Sequence, residues 1–128
     1  MKDLYSNVAV VAALAPAVQT AATTTAALDL RDYGSVVYAV ETGAIAGAGA
    51  FGVKLQHSDT TTSGDFVDVP AGRFVSNAPA TLLENAACKL GYKGEKRYVR
   101  LALTKASGTS IAAGATAILG DPKLAPVA

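Results

Sequence analysis

The segment FGVKLQH, residues 51–57, alternates between two kinds of side chain. Phe51, Val53 and Leu55 fall on one face, and polar residues such as Lys54 fall on the other. A period of two places alternate side chains on opposite faces of a β-strand, whereas a helix would repeat its apolar positions every three or four residues. The segment therefore predicts a half-buried β-strand.

Further segments of the same kind lie on both sides of this strand, bounded by turn residues. They are residues 27–30, 35–42, 65–69, 87–92, 96–104 and 111–119. A Gly/Ala loop over 43–49 and a loop containing Asn77 and Pro79 separate some of them. No helix-length amphipathic segment lies between the strands, which disfavours an alternating strand–helix–strand architecture. The sequence predicts one all-β domain over residues 26–120, an antiparallel β-sandwich of jelly-roll type.

Residues 1–25 differ from this pattern because they are nearly uncharged and lack a clean period of two. A short helix over residues 7–14, ending before Pro16, and an extended N-terminal arm are equally consistent with them. An apolar segment of this kind is expected to pack on its own domain or on a neighbouring subunit. Residues 121–128 are predicted to form a C-terminal tail.

Composition limits the classes of partner. The chain has 128 residues, enough for one domain, with 51% hydrophobic and 16% charged residues and a net charge of +1. This balance gives no electrostatic basis for binding nucleic acid or an anionic membrane. The apolar run over residues 8–18 is too short to span a bilayer. We expect no direct nucleic-acid or membrane contact and no targeting segment, in a protein made in the cytoplasm.

Few residues offer catalytic or metal-binding chemistry. The single cysteine, Cys88, and the single histidine cannot supply a disulfide or a zinc site, and Cys88 resembles a small core residue. Residues 47–52 match G-x-G-x-x-G, but a strand rather than a helix follows them, so a hairpin loop is the better interpretation. Asp59 and Asp65 flank a polar loop without the spacing of an EF-hand.

The tripeptide His57-Ser58-Asp59 contains the residue types of a hydrolase triad. Consecutive strand residues point to alternate faces, so these three side chains cannot converge on one another. We therefore expect a protein that is not an enzyme and needs no cofactor.

A basic cluster, formed by Lys93, Lys96, Arg97 and Arg100, lies beside two tyrosines. Basic residues interleaved with exposed aromatics are typical of single-strand nucleic-acid binding, but this cluster is small and the net charge does not support that function. A solvated strand face, arginine packed over a tyrosine ring, or pairing with acids of a neighbouring subunit are the alternatives.

The motif Gly91-Tyr92-x-Gly94-x-x-Arg97-Tyr98-x-Arg100-Leu101, together with residues 43–69 and the tail ILGDPKLAPVA, resembles a known class of protein. These are small virion proteins encoded near the major capsid gene of tailed bacteriophages, called decoration, cement or minor capsid proteins. The resemblance covers most of the chain from Leu28 onward. It implies a β-sandwich that binds the major capsid protein on the outside of the expanded shell, commonly as a homotrimer, after synthesis in the host cytoplasm. It carries over no catalytic residue.

Candidate contact residues follow from the apolar N-terminal segment and the basic cluster. They are Met1, Leu4, Tyr5, Val8, Val10, Val11, Leu14, Lys96, Arg97 and Arg100. Two other functions remain open at this point. One is a head-to-tail connector or tail protein, and the other is a carbohydrate-binding module using Tyr33, Tyr38, Tyr92 or Tyr98.

Overall fold

A computed structural model describes residues 4–122 of the chain, which form ten β-strands and three single turns of 3₁₀ helix. The strands are β1 (Ala9–Gln19), β2 (Thr23–Thr24), β3 (Leu28–Asp29), β4 (Tyr33–Ala46), β5 (Ala50–Ser58), β6 (Val67–Asp68), β7 (Phe74–Ser76), β8 (Ala87–Tyr92), β9 (Tyr98–Ser107) and β10 (Ser110–Pro122). The 3₁₀ turns cover Tyr5–Asn7, Ser63–Asp65 and Ala71–Arg73.

The strands form two antiparallel sheets packed against each other. Sheet A has the order β1-β10-β4-β8-β7, and sheet B has the order β2-β9-β5-β6, with β3 also paired to β9. The predicted all-β antiparallel sandwich is thus confirmed. The period-two segments over 35–42, 51–57 and 111–119 lie within β4, β5 and β10.

The core lies between the sheets, on the apolar faces that the alternation marks. Its main cluster joins Val36, Tyr38 and Val40 of β4 to Val99 and Leu101 of β9. The Tyr38 hydroxyl donates a hydrogen bond to the Val99 carbonyl at 3.3 Å, which gives the buried phenol a partner. Each large apolar side chain buried in this way contributes roughly 1.5–3 kcal/mol to the free energy of unfolding.

The glycine-rich segment after β4 is a tight turn. Gly47 and Ala48 have φ angles of 59° and 55°, and the Gly49 amide donates to the Ala46 carbonyl at 3.2 Å. Two successive positive φ angles favour glycine, asparagine or aspartate, and glycine occupies the first of the two positions. The turn carries the chain from sheet A to sheet B, so it is a corner between the sheets rather than the hairpin expected from sequence.

The N-terminal segment forms an edge strand of the sandwich, and the helical alternative for residues 7–14 is wrong. Strand β1 pairs with β10 from Ala9 opposite Leu119 to Gln19 opposite Ile111. Its register shifts twice, between Ala12 and Leu14 and between Leu14 and Ala17. The segment is extended, as the alternative of an N-terminal arm predicts, and it is hydrogen-bonded to its own domain.

Two further elements differ from the sequence-based expectation. Strand β7 lies in the region expected to be a loop, where it pairs with the β8 strand. Strand β10 extends to Pro122, so the first two residues of the expected tail, Asp121 and Pro122, belong to sheet A. Residues 123–128 lie outside the described part of the chain, as does Met1.

Candidate interaction surfaces

The outward side of sheet A carries an apolar row that crosses all five strands. Pairing registers place Val10, Ile118, Val37, Gly91 and Val75 side by side in this row. Val10 and Val75, at its two ends, are 67% and 60% exposed. These residues alternate with the core positions of their strands, so they point away from sheet B.

Three further rows continue this surface along the strands. The first of these rows contains Ala12, Thr116, Ala39 and Lys89. The second contains Gly114, Glu41 and Ala87, and the third contains Val18, Ala112 and Gly43. We call these residues and the Val10 row the sheet A outer face. Its charged members are Glu41 and Lys89, and neither side chain has an ion pair or hydrogen bond within residues 4–122.

A groove of about 580 Å³ lies on the sheet A outer face. Its floor is made by the small residues of β10, with Pro16 and Val18 on one side and Ala87 on the other. Pro16 sits in the second register shift of β1 and lies over Gly114, where an added Cβ would meet the proline ring at 3.0 Å. Proline is tolerated here because an edge strand does not need every amide for pairing.

Exposed apolar side chains are concentrated at the N-terminal side of the described chain. Of the eight large hydrophobic residues exposed within residues 4–122, five occur in the first 18 positions. They are Leu4, Tyr5, Val10, Val11 and Val18. The other two candidate contacts described in this segment, Val8 and Leu14, are half-buried, and Leu14 packs on the main core cluster.

The outward side of sheet B is polar and its charges are paired internally. Lys54 lies 3.1 Å from the Asp68 carboxylate, and Gln56 donates to the same carboxylate at 3.0 Å. These two hydrogen bonds hold the pKa of Asp68 below its ordinary value. Arg100 donates to Gln56 at 2.9 Å, which extends the network across the sheet.

Three of the four basic residues singled out from sequence, Lys96, Arg97 and Arg100, have side-chain partners within the chain. Arg97 binds both oxygens of Asp29 at 3.0 and 2.8 Å, and this lowers the pKa of Asp29 to about 2. Lys96 binds Asp59 at 2.9 Å. The Arg100 guanidinium lies 4.3 Å from the centre of the Phe66 ring, and Arg97 lies 5.1 Å from that of Tyr98. These contacts lie on the sheet B side, whereas the apolar candidates belong to β1 and the residues before it.

The His57 ring turns inward, away from Ser58 and Asp59. Its Nδ1 lies 2.7 Å from the Tyr92 hydroxyl, which also accepts a hydrogen bond from the Lys96 amide at 3.1 Å. The hydroxyl has one proton and two lone pairs, so beside the bond from the amide it can either donate to Nδ1 or accept from it, according to the tautomer of the ring. Burial, followed by the charge of Lys96, lowers the pKa of His57. The three residue types of a hydrolase triad therefore do not converge.

This contact gives a physical reason for the Gly91-Tyr92-x-Gly94 motif. A Cβ on Gly94 would collide with the Tyr92 hydroxyl and ring, so a side chain at residue 94 would displace the hydroxyl from His57. Sequence reasoning missed the pair because His57 and Tyr92 come from different sheets. The signal it could have used is the glycine two residues after a buried tyrosine.

The other residues considered for catalysis or metal binding do not come together in one site within the described part of the chain. Within residues 4–122, no three His, Cys, Asp or Glu side chains cluster closely enough to hold a metal ion. Asp65 accepts a hydrogen bond from Thr60, while Asp59 is held by Lys96. Cys88 is half-buried beside both core clusters, and burial raises its pKa. The described residues also contain no helix long and apolar enough to cross a membrane.

Neither a family model nor a curated protein matches the sequence. A similar fold occurs among solved structures of phage origin. The SPBc2 prophage-derived protein YomS aligns with a TM-score of 0.55 and 6% identity, over 88% of this chain and 93% of that one. A chain from the structure of infectious bursal disease virus, Gx strain, aligns with a TM-score of 0.46 and 11% identity, over 89% of this chain and 32% of that one. PirA aligns with a TM-score of 0.43 and 10% identity, over 94% of this chain and 98% of that one. At these identities the YomS likeness concerns the fold alone, and the other two are too distant to support an argument.

Proposed function

We propose that this protein is a structural component of a tailed-phage particle that binds the outer surface of the capsid and stabilises the shell. The observation that carries the proposal is the concentration of exposed apolar side chains along β1 and the residues before it. Large apolar groups gathered in one region of a surface mark a site of protein contact. The sequence resemblance and the fold shared with a prophage-derived protein support the same assignment.

The stabilising effect would be thermodynamic rather than chemical. A protein that binds the intact lattice, but not its opened or dissociated states, stabilises that lattice by its own binding free energy. The partner is the major capsid protein, and the binding site lies on the capsid exterior. Such a protein needs no catalytic group.

The contact surface we assign to the shell is formed by Leu4, Tyr5 and Val11 with the adjoining end of β1. Leu4 and Tyr5 are 62% and 81% exposed, so their apolar surface is available to a partner. Burying a side chain of this size contributes roughly 1.5–3 kcal/mol. We leave Lys96, Arg97 and Arg100 outside this surface because their charges already have partners in the chain.

A carbohydrate-binding function has less support. Modules of that class present aromatic rings on an exposed platform. Here Tyr38 and Tyr92 are buried, and Tyr33 and Tyr98 are half-buried.

The proposal can be tested with purified expanded shells that lack this protein. Leu4→Glu is expected to weaken binding to these shells at least about tenfold, a loss of about 1.4 kcal/mol, because it places a charge in the apolar contact. Leu83→Glu is the matched control, since Leu83 is also 62% exposed but its carbonyl bonds to Thr42, which pairs with Ala113, whereas β1 begins opposite Leu119. Wild-type protein that fails to bind the shells, or equal binding by all three proteins, would contradict the proposal.

Deleting the N-terminal segment would be a poor substitute for this test. Strand β1 covers one side of β10 over most of its length, so removing it would expose backbone and core as well as the proposed contact. Point substitutions at Leu4 leave β1 in place.

A further inference from the structure

We infer that the sheet A outer face is the surface on which a second copy of this chain binds. The inference rests on the proposed function only in one respect, which is the biological role of the assembly that the copies form. Self-association itself is a property of the isolated protein and can be measured without any particle.

The first argument is the contrast between the two sides of the sandwich. The outer face of sheet B is covered by paired charges, such as Lys54 with Asp68, that are satisfied in water. The sheet A outer face has valine, isoleucine, alanine and glycine at nearly every position. A sheet with one solvated face needs cover only on its core face, as sheet B has, whereas a sheet that is apolar on both faces is expected to be covered on both.

The second argument is the shape of the surface. Small residues line strand β10, next to the edge strand β1, and the groove of about 580 Å³ above them provides space for a partner's side chains. Strands about 4.8 Å apart that rise about 3.3 Å per residue give the face roughly 600 Å² on each copy. Two copies would bury about 1,200 Å² in total, at the lower limit of stable interfaces.

The third argument is charge, and it selects a second copy over an unrelated protein. Glu41 and Lys89 are diagonal neighbours on this face, because Ala39 is paired with Lys89 and Glu41 with Ala87. Both are exposed and have no side-chain partner within residues 4–122. A face with one acid and one base is complementary to itself, since Glu41 of one copy can pair with Lys89 of the next.

The first test measures self-association by sedimentation velocity up to about 100 µM, a range that detects micromolar dissociation constants. Wild-type protein is expected to associate reversibly. Thr116→Lys is expected to raise the dissociation constant at least about tenfold, because it places a charge in the centre of the face. Thr104→Lys makes the same change on the outer side of sheet B, on strand β9, and is expected to leave association unchanged.

The second test separates contact between copies from any effect within one copy. Glu41→Lys and Lys89→Glu should each weaken association, and an equimolar mixture of the two variants should restore it. In the mixture each altered charge meets an opposite charge only on the other variant, so a pair within one chain could not give this rescue. Both positions are exposed, which keeps the variants foldable.

Three results would each overturn the inference. The wild-type protein could stay monomeric throughout the concentration range, the two threonine substitutions could change the dissociation constant equally, or the mixture of charge variants could associate no more strongly than either variant alone. Failure here is distinct from failure of the proposed function. Shells could bind a monomer through Leu4, and a protein that self-associates through this face could still fail to bind shells.

Discussion

At the scale of single residues, the hydrogen bond between His57 and Tyr92 ties sheet B to sheet A. Both side chains are buried, and their rings meet edge to face with centres 5.6 Å apart. Protonating His57 would place a charge in a buried site beside Lys96, which is why the pKa of His57 is lowered.

This pair predicts a pH dependence of stability. A histidine whose folded-state pKa lies below its unfolded value of 6.5 stabilises the fold fully above pH 6.5. That contribution declines as the pH falls from there through the folded-state pKa. Urea unfolding between pH 7.5 and about 4.5 should show this decline in the wild-type protein and a smaller one in His57→Gln, which cannot titrate. Parallel pH profiles for the two proteins would contradict this account.

Asp29 also contributes stability that is lost as the pH falls, but it does so at lower pH than His57. Arg97 holds its pKa at about 2 instead of 3.8, so the pair stabilises the fold above pH 3.8 and loses this effect as the pH falls through about 2. Because both side chains are substantially exposed, Asp29→Asn should lower the free energy of unfolding at pH 7 by only about 0.2–1 kcal/mol. Asp32→Asn, on a carboxylate 4.0 Å from Arg31, is the control and should change stability less.

At the scale of elements, strand β1 depends on a close contact with its neighbour. Pro16 packs directly on the Gly114 backbone, and an added Cβ would lie 3.0–3.2 Å from three atoms of the proline. One of these atoms is the proline Cα, so the strand backbone itself would have to shift.

Gly114→Ala should therefore lower the free energy of unfolding by about 1–3 kcal/mol, the usual effect of overpacking. Gly91→Ala is the matched control on the same face, because a Cβ there would meet nothing closer than 3.9 Å. Urea denaturation of both variants measures the difference, and hydrogen exchange should show that the loss concentrates in β1. Equal stability of the two variants would show that Pro16 does not constrain β10.

The same strand explains where sequence reasoning succeeded and failed. Strands β5 and β9 were predictable because they keep one register from Phe51 onward and alternate large apolar residues with Lys54 or Arg100. In β1 the register shifts twice, so the period of two is broken inside the strand. Most of its residues are alanine or valine, which give little contrast between faces, and Pro16 argued for a break. The proposed contact surface follows partly from sequence, because Leu4, Tyr5 and Val11 were already candidate contacts and the structure shows that they are exposed. The sheet A outer face was not predictable from sequence, because identifying it requires the order of the strands in the sheet.

At the scale of the whole molecule, the sandwich is asymmetric. One outer face holds paired charges and the other is apolar, while the N-terminal residues extend the apolar region beyond the sheet. An isolated soluble domain gains nothing from this distribution, whereas a subunit of an assembly buries both apolar regions. A covering protein of this kind should be present in numbers close to those of the lattice it covers.

The most direct test of this account is the stoichiometry of the protein in purified phage particles, measured by quantitative mass spectrometry against the major capsid protein. We predict a ratio near one copy per major capsid subunit or a simple fraction of it. A ratio of only a few copies per particle would contradict a lattice-covering role and assign the protein to the head-to-tail connection or the tail. Complete absence from the particles would contradict any virion function.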